Sequence, residues 1–325
     1  MNDTRRNLIG AALAGGLAAL MPAARAEDAG PGAWRAAPSS GPADETIDLW
    51  PAAPPDPSPD GGPEGEQRGK HGSVSHVMRP RLAVYRPERP NGSAALVIAG
   101  GGYDHIELGN ESTPACQWLR SLGVTAFELV YRLPEQGWSR LAPLQDGQRA
   151  MRVIRARARR ERLDAGRIAV LGFSAGGHLA GMTAVAPDAA RYAPVDADDR
   201  ESARPDLAGL IYPVLTLMPP FDHTRTRLHI VGAHPAEADS AALSVNLQVD
   251  TGTPPVFLAQ ALDDPVSPID NSLLMLHAMR GARVPAELHV FQRGGHGWGL
   301  GAADSEVRAW PDLFAAWARL NRWFA

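Results

Sequence analysis

Ser174 sits in Gly172-Phe173-Ser174-Ala175-Gly176-Gly177-His178, directly after the apolar run Ile168-Ala169-Val170-Leu171. A serine hydroxyl attacks an acyl carbon only when an imidazole takes its proton and a carboxylate orients that imidazole. Gly-x-Ser-x-Gly between a strand and a helix supplies the sharp turn that presents such a hydroxyl at the end of a strand. The chemistry this implies is acyl transfer through a serine. In a chain with 33 glycines the motif alone is weak, so its partners must be sought elsewhere.

For the base, His296 lies in Gly294-Gly295-His296-Gly297-Trp298-Gly299, just after the strand-like run Glu287 to Phe291. A glycine loop after a strand lets an imidazole swing over a nucleophile. The other histidines fit less well. His178 is too close to Ser174, His277 falls in a helical run and His289 in a strand. His223, His229 and His234 lie in an irregular stretch without cysteines, a poor pattern for zinc. For the acid, Asp263 and Asp264 both follow the run Val256 to Ala261 directly. For the developing oxyanion, Gly100-Gly101-Gly102-Tyr103 follows the apolar run ending at Ala99. Gly101 and Gly102 are expected to offer backbone amides together with Ala175, the residue after the serine, and Tyr103 to line the pocket. A phosphate-binding reading of these glycines fails, because neither Gly-x-Gly-x-x-Gly nor a following Lys-Ser/Thr is present.

Positioning these groups requires strands that all end at one side of a sheet. From Arg81 onward, short apolar runs (Leu82–Tyr85, Ala94–Ala99, Val124–Tyr131, Ile168–Leu171, Leu207–Tyr212, Val256–Ala261, Glu287–Phe291) alternate with helical patterns at 113–122, 144–162, 177–186, 269–279 and 306–324. Near-continuous apolar strands alternating with helices predict an α/β fold with a mostly parallel sheet covered on both faces. Glycine loop, serine turn, acidic pair and histidine loop then occur in the order nucleophile, acid, base that an α/β-hydrolase requires, each after a strand.

The chain has 325 residues, 44% hydrophobic and 21% charged, with a net charge of −4, enough for one large globular domain. No basic stripe points to nucleic acid. Arg5-Arg6, the apolar run Leu8 to Met21 and Ala24-Arg25-Ala26 read as a cleavable export signal of twin-arginine type over residues 1–26. The run is too short to span a bilayer comfortably, so no membrane association is expected after cleavage and the destination is the periplasm or the medium. Residues 27–70 are rich in Pro, Gly and acidic residues and read as an extended lead-in in which Thr46 to Trp50 could dock; residues 71–325 are the expected domain. The lone Cys116 excludes an intramolecular disulfide and falls on the apolar side of a helical pattern.

From about Thr46 to its end the chain resembles the bacterial acetylxylan esterase and feruloyl-esterase-like group of α/β-hydrolases. The matching stretches are Gly100 to Tyr103, Val130-Tyr131-Arg132-Leu133-Pro134, Pro143-Leu144-Gln145-Asp146, Gly172 to Leu179, Ala261 to Asp264 and Gly295 to Leu300. Asp-Asp-x-Val-x-Pro also resembles the acid loop of prolyl-oligopeptidase-like hydrolases, and that likeness favours Asp263 as the acid, with Asp264 shaping the turn before Pro265. The resemblance implies an esterase without metal or organic cofactor, acting through Ser174, His296 and Asp263 on acetylated xylan-type sugars. Trp138, Trp298 and Tyr103 would offer ring faces to the sugar, and Met218 to Asp250, which matches poorly, would form part of the substrate rim. A broad short-chain carboxylesterase and a feruloyl esterase are the near alternatives. A prolyl-oligopeptidase-like peptidase would need a propeller domain this chain is too short to hold, and no pair of opposed carboxylates marks a glycosidase.

Overall fold

The strand-forming runs differ in how completely they are apolar, and this sorts them within one sheet. The computed structural model describes residues 41–56 and 65–324; the expected export signal and the lead-in up to residue 40 lie outside the described residues. In chain order the elements are β1 (Glu45–Asp48), the short antiparallel pair β2 (Gln67–Arg68) and β3 (Val74–Ser75), β4 (Arg81–Tyr85), β5 (Ala94–Ile98), α1 (Thr113–Ser121), β6 (Thr125–Val130), α2 (Ala142–Glu161), β7 (Ile168–Phe173), α3 (Ser174–Val185), β8 (Leu207–Ile211), α4 (Arg225–Val231), α5 (Glu237–Ala242), β9 (Val256–Ala261), α6 (Asp270–Ala282), β10 (Ala286–Phe291) and α7 (Trp310–Leu320). Eight strands form the main sheet in the order β1-β4-β6-β5-β7-β8-β9-β10. Strands β6 to β10 run parallel, while β4 is antiparallel to both β6 and β1. The fully buried strands β5, β7, β8 and β9 occupy the centre, and the half-exposed β10 and β1 are the edges.

Alternation of Cβ direction along each strand divides the core between two faces. Leu96 and Ile98 of β5 and Val170 of β7 pack with Met151 and Ile154 of α2, Leu179 of α3 and Met275 of α6. Ala95 and Val97, with Ala169, Leu171 and Phe173, pack on the other face with Cys116 and Leu119 of α1 and Phe314 and Trp317 of α7. The register pairs Ile98 with Gly172, Phe173 with Ile211, and Ala261 with Phe291. The strand ends are thereby brought level, so the loops after β5, β7, β8, β9 and β10 meet at the carboxyl edge of the sheet, where ligands bind in open parallel sheets.

The lead-in is more closely integrated than the sequence predicts. Its Glu45–Asp48 segment adds an antiparallel edge strand to β4, and the β2–β3 pair straddles residue 71, so the expected boundary there is not a structural one. The described residues belong to one compact unit. Trp50 is buried and donates its indole N–H to Asp146 Oδ1 at 2.8 Å. Asp146 in turn binds Arg132 through the backbone N–H, Nε and Nη2, and Arg132 also reaches Gln145 and the Pro55 carbonyl. Arg132 and Asp146 are fully buried, an arrangement tolerable only because their hydrogen-bonding groups are satisfied. This accounts for Pro-Leu-Gln-Asp as architecture. Among the described residues no helix is long and apolar enough to cross a membrane.

Candidate active site

The turn at Ser174 is tighter than the sequence reading allows. The helix begins at Ser174 itself, three residues before the expected start at Gly177, so β7 passes into α3 with no loop between them. Ser174 takes φ +51°, a left-handed conformation that side chains rarely adopt. Both flanking glycines are sterically required. A Cβ on Gly172 would collide with the Gly176 carbonyl, and one on Gly176 with the carbonyls of Ile98 and Ala99 on the neighbouring strand.

The serine hydroxyl donates to Nε2 of His296 at 2.7 Å. On the opposite side of the ring, Nδ1 lies 2.8 Å from Oδ2 of Asp264. A carboxylate only accepts, so the proton sits on Nδ1 and Nε2 is the lone-pair nitrogen facing the serine. The acid is therefore Asp264, and the assignment of Asp263 is corrected. Ala261 to Asp264 form a turn closed by the Asp264 N–H on the Ala261 carbonyl at 3.4 Å. Asp263 stands near the outward tip, while Asp264 returns over the sheet end and is buried. Asp264 also accepts from Val266 N and Ser267 N through Oδ1 and from Gln260 Nε2 through Oδ2, which fixes its plane. Asp263 has the shaping role instead, with Oδ1 accepting from the amides of Gly294 and Gly295 at 2.9 and 2.8 Å. The two aspartates thus hold the histidine and the backbone just before it.

Gly101 and Gly102 take φ +118° and +67° and line a cavity of about 500 Å³ that also contains Ser174 and His296. Ala175 is at the first turn of α3, where amides have no intrahelical partner. The geometry around the glycine loop involves His229, which the sequence suggests only as a poor zinc candidate, and Glu111 and Tyr212, which no motif singles out. His229 donates from Nδ1 to the Gly102 carbonyl at 2.7 Å and presents Nε2 to Glu135 at 3.0 Å. Glu111 accepts the Gly100 amide on Oε2 at 2.6 Å and the Tyr212 hydroxyl on Oε1 at 2.9 Å. Tyr212 follows β8 at φ +38°, its ring 5.0 Å from the His296 imidazole. Burial pushes the Glu111 carboxyl up to about 7 against the opposing pull of the Gly100 amide, the Tyr212 hydroxyl and His296. The only sequence signal for Glu111 was an acidic residue just before a helix, indistinguishable from an ordinary N-terminal acid.

Tyr103 and Trp298 do not face this cavity, which corrects their expected substrate-binding roles. Tyr103 is fully buried, at φ +64°, and its hydroxyl lies 2.9 Å from His178 Nδ1. His178 donates from Nε2 to the Leu243 carbonyl at 2.8 Å, so it accepts from the tyrosine; burial lowers it to about 4, keeping the ring neutral. Trp298 packs against Tyr212 and Phe291. Both rings lose to packing because they are large and apolar. Trp138 is buried too, its N–H on the Val77 carbonyl and its face under Arg132. The weakly matching 218–250 stretch does reach the cavity, through Thr224, Arg225 and Thr226. The remaining wall is mixed, with His71, His105, Glu107 and Asn110 beside the apolar Val214 and Val266.

A mostly parallel sheet, a left-handed serine between strand and helix, and an aspartate-backed histidine on later strand ends define an α/β-hydrolase with a Ser-His-Asp arrangement. Within that class the chain belongs to the BD-FAE family, whose profile matches residues 82–279. It is 34% identical over 230 residues to endo-1,4-beta-xylanase B of Butyrivibrio fibrisolvens, covering 69% of this chain and 34% of that protein. It is 27% identical over 233 residues to an acetylxylan esterase of Xylanibacter ruminicola, covering 70% and 46%. The chain thus spans less than half the length of these curated relatives. Among solved structures, the acetyl ester-xyloside bifunctional hydrolase of Caldicellulosiruptor lactoaceticus superposes with a TM-score of 0.77 at 34% identity, covering 87% of this chain and 98% of that one. An esterase of Thermogutta terrifontis shares the fold at a TM-score of 0.65 and 24% identity, over 81% of this chain and 97% of that one.

Proposed function

We propose that the protein is an exported serine esterase that removes acetyl groups from carbohydrate esters such as acetylated xylo-oligosaccharides. The observation that carries the reading is the Ser174-His296-Asp264 relay, with hydrogen bonds of 2.7 and 2.8 Å, opening on a cavity rimmed by Gly101 and Gly102. Ser174 Oγ attacks the ester carbon as His296 Nε2 takes its proton, and the sugar hydroxyl leaves with that proton. Water, deprotonated by His296, then attacks the acyl-enzyme and releases the acid. Asp264 stabilises the imidazolium in both halves. The amides of Gly101, Gly102 and Ala175 receive the negative charge on the carbonyl oxygen. His71, His105, Glu107 and Asn110 on the cavity wall offer hydrogen-bonding groups to a polyhydroxylated alcohol, Val214 and Val266 offer apolar surface to an acyl group, and the names of the Xylanibacter and Caldicellulosiruptor relatives support acetylated xylan fragments. Export to the periplasm or medium is supported by Arg5-Arg6 and Ala24-Arg25-Ala26 and is checked by fractionating cells that express the full chain.

The test is release of acetate from acetylated xylo-oligosaccharides by the purified protein, alongside 4-nitrophenyl acetate. Ser174→Ala is expected to lower kcat by roughly 10⁶ on both; unchanged turnover would rule the mechanism out. A second reading, a short-chain carboxylesterase without sugar preference, is favoured by 34% identity over 143 residues to an ethyl acetate hydrolase of Pseudomonas putida. Turnover of simple acetates without any acetate released from sugars would establish it instead.

A further inference from the structure

We infer that Glu111 is a positioning residue that ties the glycine loop after β5 to the histidine loop after β10, holding both in register with Ser174; this rests on the esterase reading above. The residue comes from a five-residue π-helical turn, Leu108–Ser112, that runs straight into α1, and such wide turns recur at functional sites. Its side chain is almost fully buried yet borders the cavity with Ser174 and His296.

Two donors converge on this carboxylate from different loops. Gly100 N–H, at the head of the glycine loop, reaches Oε2 at 2.6 Å, and Tyr212 O–H reaches Oε1 at 2.9 Å. The tyrosine oxygen then accepts the Gly299 amide at 3.0 Å, so the link continues into the histidine loop. The neighbouring Asn110 adds a second tie there, donating from Nδ2 to the Gly297 carbonyl at 2.9 Å. Gly299, at φ +50°, approaches so closely that a Cβ would collide with the Asn110 carbonyl. One turn therefore grips the backbone on both sides of the nucleophile. Burial drives the Tyr212 phenol well above its usual range, so it remains a donor.

Above about pH 7, where Glu111 has lost its proton, its carboxylate suits this position because it accepts on both oxygens. A carboxamide keeps the shape but turns an N–H₂ toward one of the two donors. A residue serving only to anchor α1 would affect stability and leave turnover of the folded enzyme unchanged. A strut between the two loops acts on the transition state, and its loss appears in kcat rather than KM.

The experiment is steady-state hydrolysis of 4-nitrophenyl acetate at about pH 8, where Glu111 is ionised, by wild type, Glu111→Gln, Tyr212→Phe, the double variant and Ser174→Ala. Glu111→Gln is expected to lower kcat about 10- to 100-fold, with KM within about threefold. Tyr212→Phe keeps the buried ring but cuts the Gly299 branch, and a smaller fall in kcat is expected. The double variant is expected to match Glu111→Gln, since both changes break one link. Wild-type kcat in folded Glu111→Gln, or losses that multiply in the double variant, would overturn the inference. If Glu111→Gln does not fold, Tyr212→Phe decides, and an unchanged kcat overturns it. An inactive Ser174→Ala beside a fully active Glu111→Gln removes only the strut, whereas an active Ser174→Ala removes the esterase reading itself.

Discussion

At the scale of single residues, the adjacent aspartates separate two tasks that a sequence leaves interchangeable. Asp264 touches the imidazole, and Asp263 holds the backbone that carries it. Asp264→Asn keeps the shape but favours the tautomer with its proton on Nε2, and kcat is expected to fall by roughly 10⁴. Asp263→Asn retains one acceptor oxygen for the Gly294 and Gly295 amides, and a loss within about tenfold is expected. Measuring kcat of both variants on 4-nitrophenyl acetate checks the pair, and a reversed order would restore Asp263 as the acid. The preference for Asp263 came from a likeness between loops. Which of two neighbours faces the sheet depends on where the turn tip falls, and Asp-Asp does not encode that locally.

At the scale of elements, the β7–α3 turn works because two backbones approach within the reach of a single carbon atom. Gly176→Ala forces a methyl group against the Ile98 and Ala99 carbonyls, and a loss of about 1–3 kcal/mol or more is expected in urea unfolding. Gly281, near the end of α6, has nothing within 4 Å of where its Cβ would be. Gly281→Ala is expected to stabilise by about 0.4–1 kcal/mol in the same assay. Opposite signs from one substitution type would locate the cause in tertiary approach, since helix propensity favours alanine at both sites. The central strands were legible because continuous apolar runs have few alternatives to a buried parallel position. The π-helical turn at 108–112 and the start of α3 at Ser174 were not, since neither has a periodic signature; each is set by the groups it must reach.

At the scale of the molecule, joining the active-site loops through a buried acid lowers stability as the pH rises. Glu111 has a folded value of about 7 against 4.5 for the free side chain. Between those values the unfolded chain has released the proton while the folded protein retains it, so the unfolded state binds fewer protons and stability falls as pH rises; above about 7 the contribution levels off. The loss is on the order of 3 kcal/mol. His296, facing the carboxylate, opposes this shift, and Glu107 reinforces it. Glu111→Gln removes the titration, so the stability of wild type minus variant is expected to decline between pH 5 and pH 8. Urea unfolding of both proteins at the two pH values checks this, and a difference that stays flat or grows would contradict it. A variant that gains relative stability at pH 8 while losing turnover would show the strut retained at the expense of stability.

The sequence by itself determined the class of chemistry and the order of its parts. A serine between glycines after a strand, a histidine in a glycine loop and an acidic pair between them have few other uses when each follows an apolar run, and the resemblance of those motifs pointed to the family that residues 82–279 match. Only the tertiary structure decided which aspartate meets the imidazole, why Tyr103 and Trp298 turn into the core, and how Glu111, Tyr212 and His229 brace loops more than a hundred residues apart. The physical reason is common to all of these. Residue type and spacing specify what a group can do, but its partners are set by strand register and turn direction, and those are fixed only when the whole sheet closes.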